Sequence, residues 1–285
     1  MSLVFNKEQQ AALNKQFNKS KNNTAYTKTI LAGKLDEAFK RFNEPFSFVY
    51  EPKQSDFGWH PSGDCLPPVS KLWQNARAAL YPEESTVVRK DMSHLTKTFM
   101  VGHYWHQIIQ YLIVKEGWAS QEAIENIAYR CWNAEANYAH TFIVGENYLD
   151  CSLDPDNPKT EALPFHFVRG QGDVAPLEMG DWKGLVDIKT MNPADFKAGL
   201  GKSRFANKYL AQINIYMDLF DEEAAMILAV DKGSGSFAEY TFVRDDALVS
   251  QIYDKWEFVS QFLESGEEPT TEHDNEFALS IGDEK

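Results

Sequence analysis

The run Gly184-Leu185-Val186-Asp187-Ile188-Lys189-Thr190 constrains the chain more than any other stretch. It reads as a β-strand, and side chains alternate faces along an extended strand. Val186 and Ile188 therefore point together into a core, while Asp187 and Lys189 project together on the other side. That is the layout of a catalytic face backed by packing. A turn just upstream, Arg169-Gly170-Gln171-Gly172-Asp173, adds a second carboxylate.

The remaining pattern supplies elements to cover this strand. Residues 1–45 are rich in Lys, Asn and Gln with apolar residues at helical intervals (Ala11, Leu13, Phe17; Ile30, Leu31, Leu35, Phe39), which predicts one or two peripheral helices. A short strand is expected over 46–50, a turn-rich stretch over 58–68 and a helix over 69–80. The spacing of Leu95, Phe99, Trp105, Ile108, Ile109, Leu112 and Ile113 predicts a long, largely buried helix over 93–116, ended near Gly117. A second helix is expected over 120–138, with Glu122 and Glu125 near its start. Strands over 165–168 and 184–189 flank a turn-rich connection. A helix follows over 203–220, then strands over 224–230 and 237–243 joined by Gly233-Ser234-Gly235-Ser236, and a last helix over 245–265.

This order implies an α/β sandwich with a mixed central sheet. The expected division is a helical and irregular N-terminal embellishment over 1–92, a core over 93–265 and an acidic, flexible tail over 266–285.

Composition narrows the function classes. With 285 residues, 43% hydrophobic and 13% aromatic, the chain can bury a substantial core. It contains no apolar run of about 18 residues and no apolar signal-peptide segment at its start, so a cytoplasmic location and no membrane partner are expected. Cys65, Cys131 and Cys151 form no C-x-x-C pair and read as free thiols. The net charge of −14 excludes a broadly basic nucleic-acid coat, yet the only charged residues between Asp195 and Asp218 are Lys197, Lys202, Arg204 and Lys208. That local basic patch directly follows the central strand. The tail from Glu264 onward is almost purely acidic and reads as solvating.

Four features carry the chemistry. His106 lies on the long helix, Asp173 closes the glycine-rich turn, Asp187 and Lys189 share a strand face, and Gln212 and Tyr216 lie one helical turn apart. Two carboxylates and an imidazole make an oxygen-rich site for Mg²⁺ or Mn²⁺, and Mn²⁺ tolerates the nitrogen ligand more readily. A cation there would bind a phosphate oxygen and lower the pKa of a water. Lys189 beside it would orient or deprotonate that water, or neutralise the transition state. His103, one turn from His106, is either the alternative ligand or a partner to it.

The order and spacing of these residues resemble the PD-(D/E)XK nuclease superfamily, and within it the RecB-like branch that includes many phage recombination exonucleases. The resemblance runs from Gly102 to Tyr216. Gly102-His103-Tyr104-Trp105-His106 is similar to the branch's G-x-x-x-H helix, and Gly170-Gln171-Gly172-Asp173 to its G-x-x-D turn. Asp187-Ile188-Lys189 is similar to the (D/E)-x-K strand, and Gln212 to Tyr216 to the Q-x-x-x-Y element. Glu146 is a weaker match to an acidic residue found upstream of the turn in many members.

The resemblance implies a restriction-endonuclease-like core and metal-dependent hydrolysis of DNA phosphodiesters. It implies Mg²⁺ or Mn²⁺ held by His106, Asp173, Asp187 and the carbonyl of Ile188, and Lys189 serving the nucleophilic water. Gln212 and Tyr216 would support substrate binding and the lysine. Lys197, Lys202, Arg204 and Lys208 become candidate contacts to the DNA backbone, with Tyr209 or Phe205 able to stack a base or pack in the core. Iron-sulfur members carry three cysteines after the nuclease core. Nothing after Cys151 is cysteine, so no cluster is expected. A P-loop is also absent, which points to a stand-alone enzyme in the host cytoplasm if viral. The leading expectation is a DNA exonuclease of phage or mobile-element recombination or replication, working beside a single-strand-binding or recombination protein. The alternatives are a structure-specific or nicking endonuclease of the same superfamily, and a non-cleaving DNA-binding module.

Overall fold

A computed structural model of the chain describes residues 30–49, 93–133, 138–144, 165–202 and 206–267. Its elements, in chain order, are α1 (Ala32–Arg41), α2 (Ser93–Lys115), β1 (Ile127–Asn133), β2 (Tyr138–Val144), β3 (Phe165–Gln171), β4 (Val174–Met179), β5 (Trp182–Met191), α3 (Pro193–Ala198), α4 (Ala206–Leu219), β6 (Ala224–Asp231), β7 (Phe237–Val243) and α5 (Asp246–Ser265). The expectations for Ala11, Leu13 and Phe17, for 58–68 and 69–80, for Cys65, Glu146, Cys151, Arg204 and Phe205, and for the acidic tail beyond Glu267 lie outside the described residues.

A four-stranded mixed sheet in the order β4-β5-β6-β7 organises the molecule. β5 and β6 run parallel, and β4 and β7 pair antiparallel on either side of them. β6 is buried on both faces and reads as a nearly unbroken apolar run, whereas β5, also largely buried, interrupts its apolar residues with Asp187 and Lys189. On one face Val186, Ile188, Met226, Leu228 and Val230 pack with Ile108, Ile109, Leu112 and Ile113 of α2 and Leu31 and Leu35 of α1. On the other, Leu185, Met191, Ile227 and Ala229 pack with Ile213, Tyr216 and Met217 of α4 and with Leu248 and Ile252 of α5. Each fully buried aliphatic contributes roughly 1.5–3 kcal/mol. A second, antiparallel sheet in the order β2-β1-β3 adjoins the first, and the chain passes between the two through Gly172 and Asp173, at the end of β3.

The bounds of the long helix, the helix over 206–219, both late strands and the last helix match the sequence reading closely, although the long helix, expected to be largely buried, is buried only around Ile108–Ile113 and exposes Met100, Val101, Tyr104 and Tyr111. Elsewhere the structure corrects it. The helix expected over 120–138 is a 3-10 turn (Gln121–Ala123) followed by β1. Glu125 adopts a left-handed φ of 51°, which stops a right-handed helix. Beyond it Ile127, Tyr129 and Trp132 suit a strand, which pairs with β3 from Ile127↔Gln171 to Asn133↔Phe165. The connection expected between two strands contains β4. Its Pro176 argues against a strand but is tolerated because β4 is an edge strand whose register shifts between Val174 and Leu177.

β2 was not expected either, nor was α3, which has Pro193 in its first turn and Asn192 accepting the Asp195 N–H at 2.9 Å. Conversely, residues 46–49 form no strand. The Gln107 side chain stands in for a neighbouring strand, accepting the Val49 N–H at 3.3 Å and donating to the Val49 carbonyl at 2.6 Å.

Helix α1 is pinned to the sheet by one carboxylate. Glu239 of β7 accepts the backbone N–H groups of Ile30, Leu31 and Ala32 at 2.5, 2.9 and 2.9 Å, at a helix start whose own residues provide no side-chain cap. Negative charge is favourable at this end of a helix. Glu239→Ala is expected to cost roughly 1–3 kcal/mol in denaturant unfolding, with hydrogen exchange accelerating first across residues 30–35. Unchanged exchange there would show that Glu239 does not anchor the helix.

Candidate active site

The ladder between β4 and β5 begins at Val174↔Val186. One residue before it, the Asp173 side chain takes over the role of a strand neighbour, its Oδ2 accepting the Ile188 N–H at 2.6 Å. N–H and C=O of one residue face the same neighbour in an extended strand, so the Ile188 carbonyl turns to this same edge. The backbone of the Asp173 turn is held from two sides. Gln110 of α2 donates Nε2 to the Asp173 carbonyl at 2.9 Å, and the Glu125 N–H donates to it at 3.2 Å.

Helix α2 also delivers His106, with Nδ1 3.2 Å from Asp173 Oδ1. His106, rather than His103, is the imidazole that reaches Asp173. Gly102, one turn earlier, explains the close approach of the helix, since a Cβ there would lie 3.3 Å from Thr190 Oγ1 of β5. The glycine of the turn works the same way. A Cβ on Gly170 would lie 2.6 Å from Leu219 Cδ1 and 3.1 Å from Tyr216 Cε1, so it lets α4 settle onto β3.

Asp187 and Lys189 point to the opposite face, toward α4. The Lys189 ammonium reaches both oxygens of Asp187, at 2.9 Å to Oδ1 as an aligned hydrogen bond and at 2.8 Å to Oδ2 without alignment. Oδ2 is therefore buried with no aligned donor. Tyr209, Gln212 and Tyr216 line up on the facing side of α4 at i, i+3 and i+7. The Tyr209 ring centroid is 5.3 Å from Lys189 Nζ, close enough for a cation–π contact. Gln212 donates Nε2 to the buried Tyr216 hydroxyl at 2.8 Å, and its Oε1 is buried with no hydrogen-bond partner among the described residues.

These groups shift one another. Burial alone would push the His106 pKa down, but the charge and hydrogen bond of Asp173 outweigh it and hold the imidazole above its ordinary value. Burial opposes ionisation of Asp173 too, and His106, Lys189 and the Ile188 N–H overcome it, so Asp173 stays below the usual carboxylate range. Asp187 goes the other way. Its burial and the nearby Asp173 charge outweigh Lys189 and raise it. Lys189 is disfavoured by burial but held protonated by Asp187 and Asp173. Burial and the Asp187 charge push Tyr216 up to about 12, keeping it a neutral phenol.

As arranged, Asp187 is committed to Lys189 and Asp173 to His106 and Ile188. Among the described residues no three His, Cys, Asp or Glu side chains are gathered into a metal-ligating group. The donor chemistry nonetheless fits a hard divalent cation, with two carboxylates and an imidazole at one strand edge and a buried carboxylate oxygen that lacks an aligned donor. Of the basic candidates, Lys197 is exposed on α3 and Lys208 is half-buried on α4. Lys202 ends the 3-10 turn Leu200–Lys202. Tyr209 faces the lysine instead of standing free for a base. The sequence reading missed Gln110. Its signal was an amide one turn beyond His106 amid Ile108, Ile109, Leu112 and Ile113, on the stretch of helix that the structure buries.

Gln110→Leu is expected to preserve α2 packing but release the Asp173 turn, lowering any hydrolytic activity at least about tenfold for the loss of one positioning contact, with little change in Tm. The His106–Asp173 pair also makes stability depend on pH. His106 is raised, so its contribution is full below the ordinary histidine pKa and is lost as pH rises through the raised value. Asp173 is lowered, so its contribution is present above the ordinary aspartate pKa and is lost as pH falls through the lowered value. With chelator present, Tm should fall on the alkaline side of neutrality, and His106→Ala should flatten that limb. An identical limb in the variant would contradict the pairing.

No family model matches the chain, and no curated protein matches it in sequence. Among solved structures, it is similar to the crystal structure of SSO0001, with 16% identity and a TM-score of 0.42 over 82% of this chain and 85% of that one. It is also similar to the alkaline exonuclease LHK-Exo from Laribacter hongkongensis, with 21% identity and a TM-score of 0.28 over 39% of this chain and 54% of that one. For LHK-Exo in complex with dAMP the identity is again 21%, with a TM-score of 0.29, 36% of this chain and 52% of that chain covered.

Proposed function

We propose that the chain is a metal-dependent nuclease of the PD-(D/E)XK type with a restriction-endonuclease-like core, hydrolysing DNA phosphodiesters as an exonuclease in phage or mobile-element recombination or replication. The observation that carries this reading is the meeting of His106, Asp173, Asp187 and Lys189 at one strand edge, in the order and with the spacing of the nuclease motifs. Asp173, Asp187 and His106 would hold Mg²⁺ or Mn²⁺, with the Ile188 carbonyl alongside. When bound, such a cation supplies Lewis-acid stabilisation to the phosphate and acidifies a water.

The chain's own groups do the rest. Lys189 is kept charged by the acids around it, which suits it to donate to the attacking water and to neutralise the phosphate as negative charge builds, more than to act as a base. Tyr209 beneath the ammonium and the Gln212–Tyr216 pair behind it restrict where the lysine can go. His106 and Gln110 fix the Asp173 turn from α2. Lys197, Lys202, Arg204 and Lys208 follow β5 in sequence and would grip the DNA backbone beside the scissile bond. A single-strand-binding or recombination protein is the partner that such a role calls for.

The deciding experiment is digestion of end-labelled linear and circular DNA with Mg²⁺ or Mn²⁺, wild type beside Lys189→Ala. Wild type should degrade the linear DNA, leave circular single strands intact and stop on addition of EDTA. Lys189→Ala should lose roughly 10²–10⁴-fold in rate while keeping its circular dichroism. Undiminished metal-dependent cleavage by the variant would sink the assignment, and cutting of the circle would make the enzyme an endonuclease.

A further inference from the structure

The face of the sheet under α2 carries a cation that the motifs do not include. Lys232 directly follows β6, and its backbone N–H donates to the Met191 carbonyl at the end of β5 at 2.9 Å, so it sits at the same sheet edge as Lys189. Val230 packs under α2, and Lys232, two residues on, emerges on that same face. Its ammonium is half-buried and lies 3.4 Å from the carbonyl of Thr98 on α2. Three contacts thus line up beneath one side of the helix at one-turn intervals: His106 over the Asp173 turn, Gly102 over Thr190 and Thr98 over Lys232. Eight residues of helix separate the first and last, or roughly 12 Å along the axis.

Lys232 pairs with no carboxylate among the described residues, and its nearest acid in sequence is occupied. Asp231 accepts the Gly233 N–H at 2.9 Å through Oδ1 and the Ser234 hydroxyl at 2.6 Å through Oδ2. The same hairpin is fixed by Asp231 N–H to Ser236 carbonyl at 2.9 Å and Gly235 N–H to Asp231 carbonyl at 2.8 Å, so Lys232 projects from a braced loop. Burial lowers its pKa, as expected for an ammonium that no nearby carboxylate among the described residues compensates. A half-buried ammonium with a neutral carbonyl but no carboxylate beside it among the described residues costs stability, and an anionic ligand would offset that cost.

We propose that Lys232 binds a backbone phosphate of the nucleic-acid substrate, on the α2 side of the sheet and a few nucleotides from the scissile bond. At about 3.4 Å of axis per nucleotide on one strand, the distance from His106 corresponds to about three or four nucleotides of a duplex. The proposal rests on the nuclease reading for its ligand, and it extends the contact surface from the basic patch after β5 to the opposite face of the sheet.

The test is binding of a fluorescent DNA oligonucleotide to the full-length chain, with Ca²⁺ in place of Mg²⁺, across a salt series. Wild type, Lys232→Gln, Lys232→Arg and the surface control Lys183→Gln are compared, and Tm is recorded for each. Lys232→Gln should bind about five- to tenfold more weakly, with a salt slope shallower by about one. Lys232→Arg and Lys183→Gln should stay near wild type. Because the lysine has no carboxylate partner among the described residues and a glutamine amide can still donate to the Thr98 carbonyl, the Tm of Lys232→Gln should be unchanged or higher, whereas a lysine retained for structure would lose Tm on substitution. Wild-type affinity and slope in Lys232→Gln would overturn this proposal alone, leaving the nuclease reading standing if wild type still cleaves. Wild type that binds no DNA at all would overturn both.

Discussion

The hydrogen bond from the Ile188 amide to the Asp173 carboxylate is the contact on which the site depends. A β-sheet edge exposes N–H and C=O groups that need partners, and β4 stops pairing with β5 just where the candidate site residues begin. Had β4 run on, its backbone would have filled the space beside Ile188. Because the chain instead turns at Gly172 and Asp173, a carboxylate satisfies the amide and the edge stays open to other groups. The turn is in turn constrained by α2 through His106 and Gln110 and by the Glu125 amide. One side chain thereby couples a sheet edge, a helix and the junction between two sheets.

That coupling sets the electrostatics. Asp173 and Asp187 belong to adjacent stretches of backbone but face different neighbours, and their pKa values are driven apart, Asp173 downward by His106 and the Ile188 amide, Asp187 upward by burial and by Asp173 itself. Oppositely displaced acids in one buried site are what acid–base and metal chemistry require. A buried ion pair such as Lys189–Asp187 gains little net stability over an apolar pair of similar size. Folding stability alone therefore does not account for its place in a largely apolar core.

How much of this was legible in the sequence follows from the range of the interactions. The strand around Asp187 and Lys189, the helix ending near Lys115 and the α4 face of Gln212 and Tyr216 are local periodicities, and the structure reproduces each. The failures are non-local. Residues 127–133 became a strand through pairing with residues 165–171, a partner more than thirty positions away that helical caps near Ser120 do not reveal. β4 was hidden by Pro176, which disqualifies an inner strand but not an edge with a register shift. The strand expected over 46–50 has, over its described residues 46–49, no neighbouring strand among the described residues, and the Gln107 side chain takes the backbone groups of Val49. Gln110 was invisible for a related reason, since its role is to hold a carbonyl that only the fold brings to it.

The topology also explains why charge collects where it does. β5 and β6 run parallel and deliver their carboxyl ends to one end of the sheet, while β4 and β7 run the other way. In open α/β sheets the loops at that end are free to diverge and leave a crevice for ligands. Lys189 is carried there by β5 and Lys232 by β6, but consecutive odd and even positions send them to opposite faces. On the α4 face the lysine is matched to an acid and buried. On the α2 face the acid next to it in sequence is consumed by its own turn, and among the described residues no carboxylate pairs with the lysine. A matched pair is suited to poising a reaction and an unmatched cation to gripping an anion, so a single edge can divide chemistry and binding between its two faces without any further element.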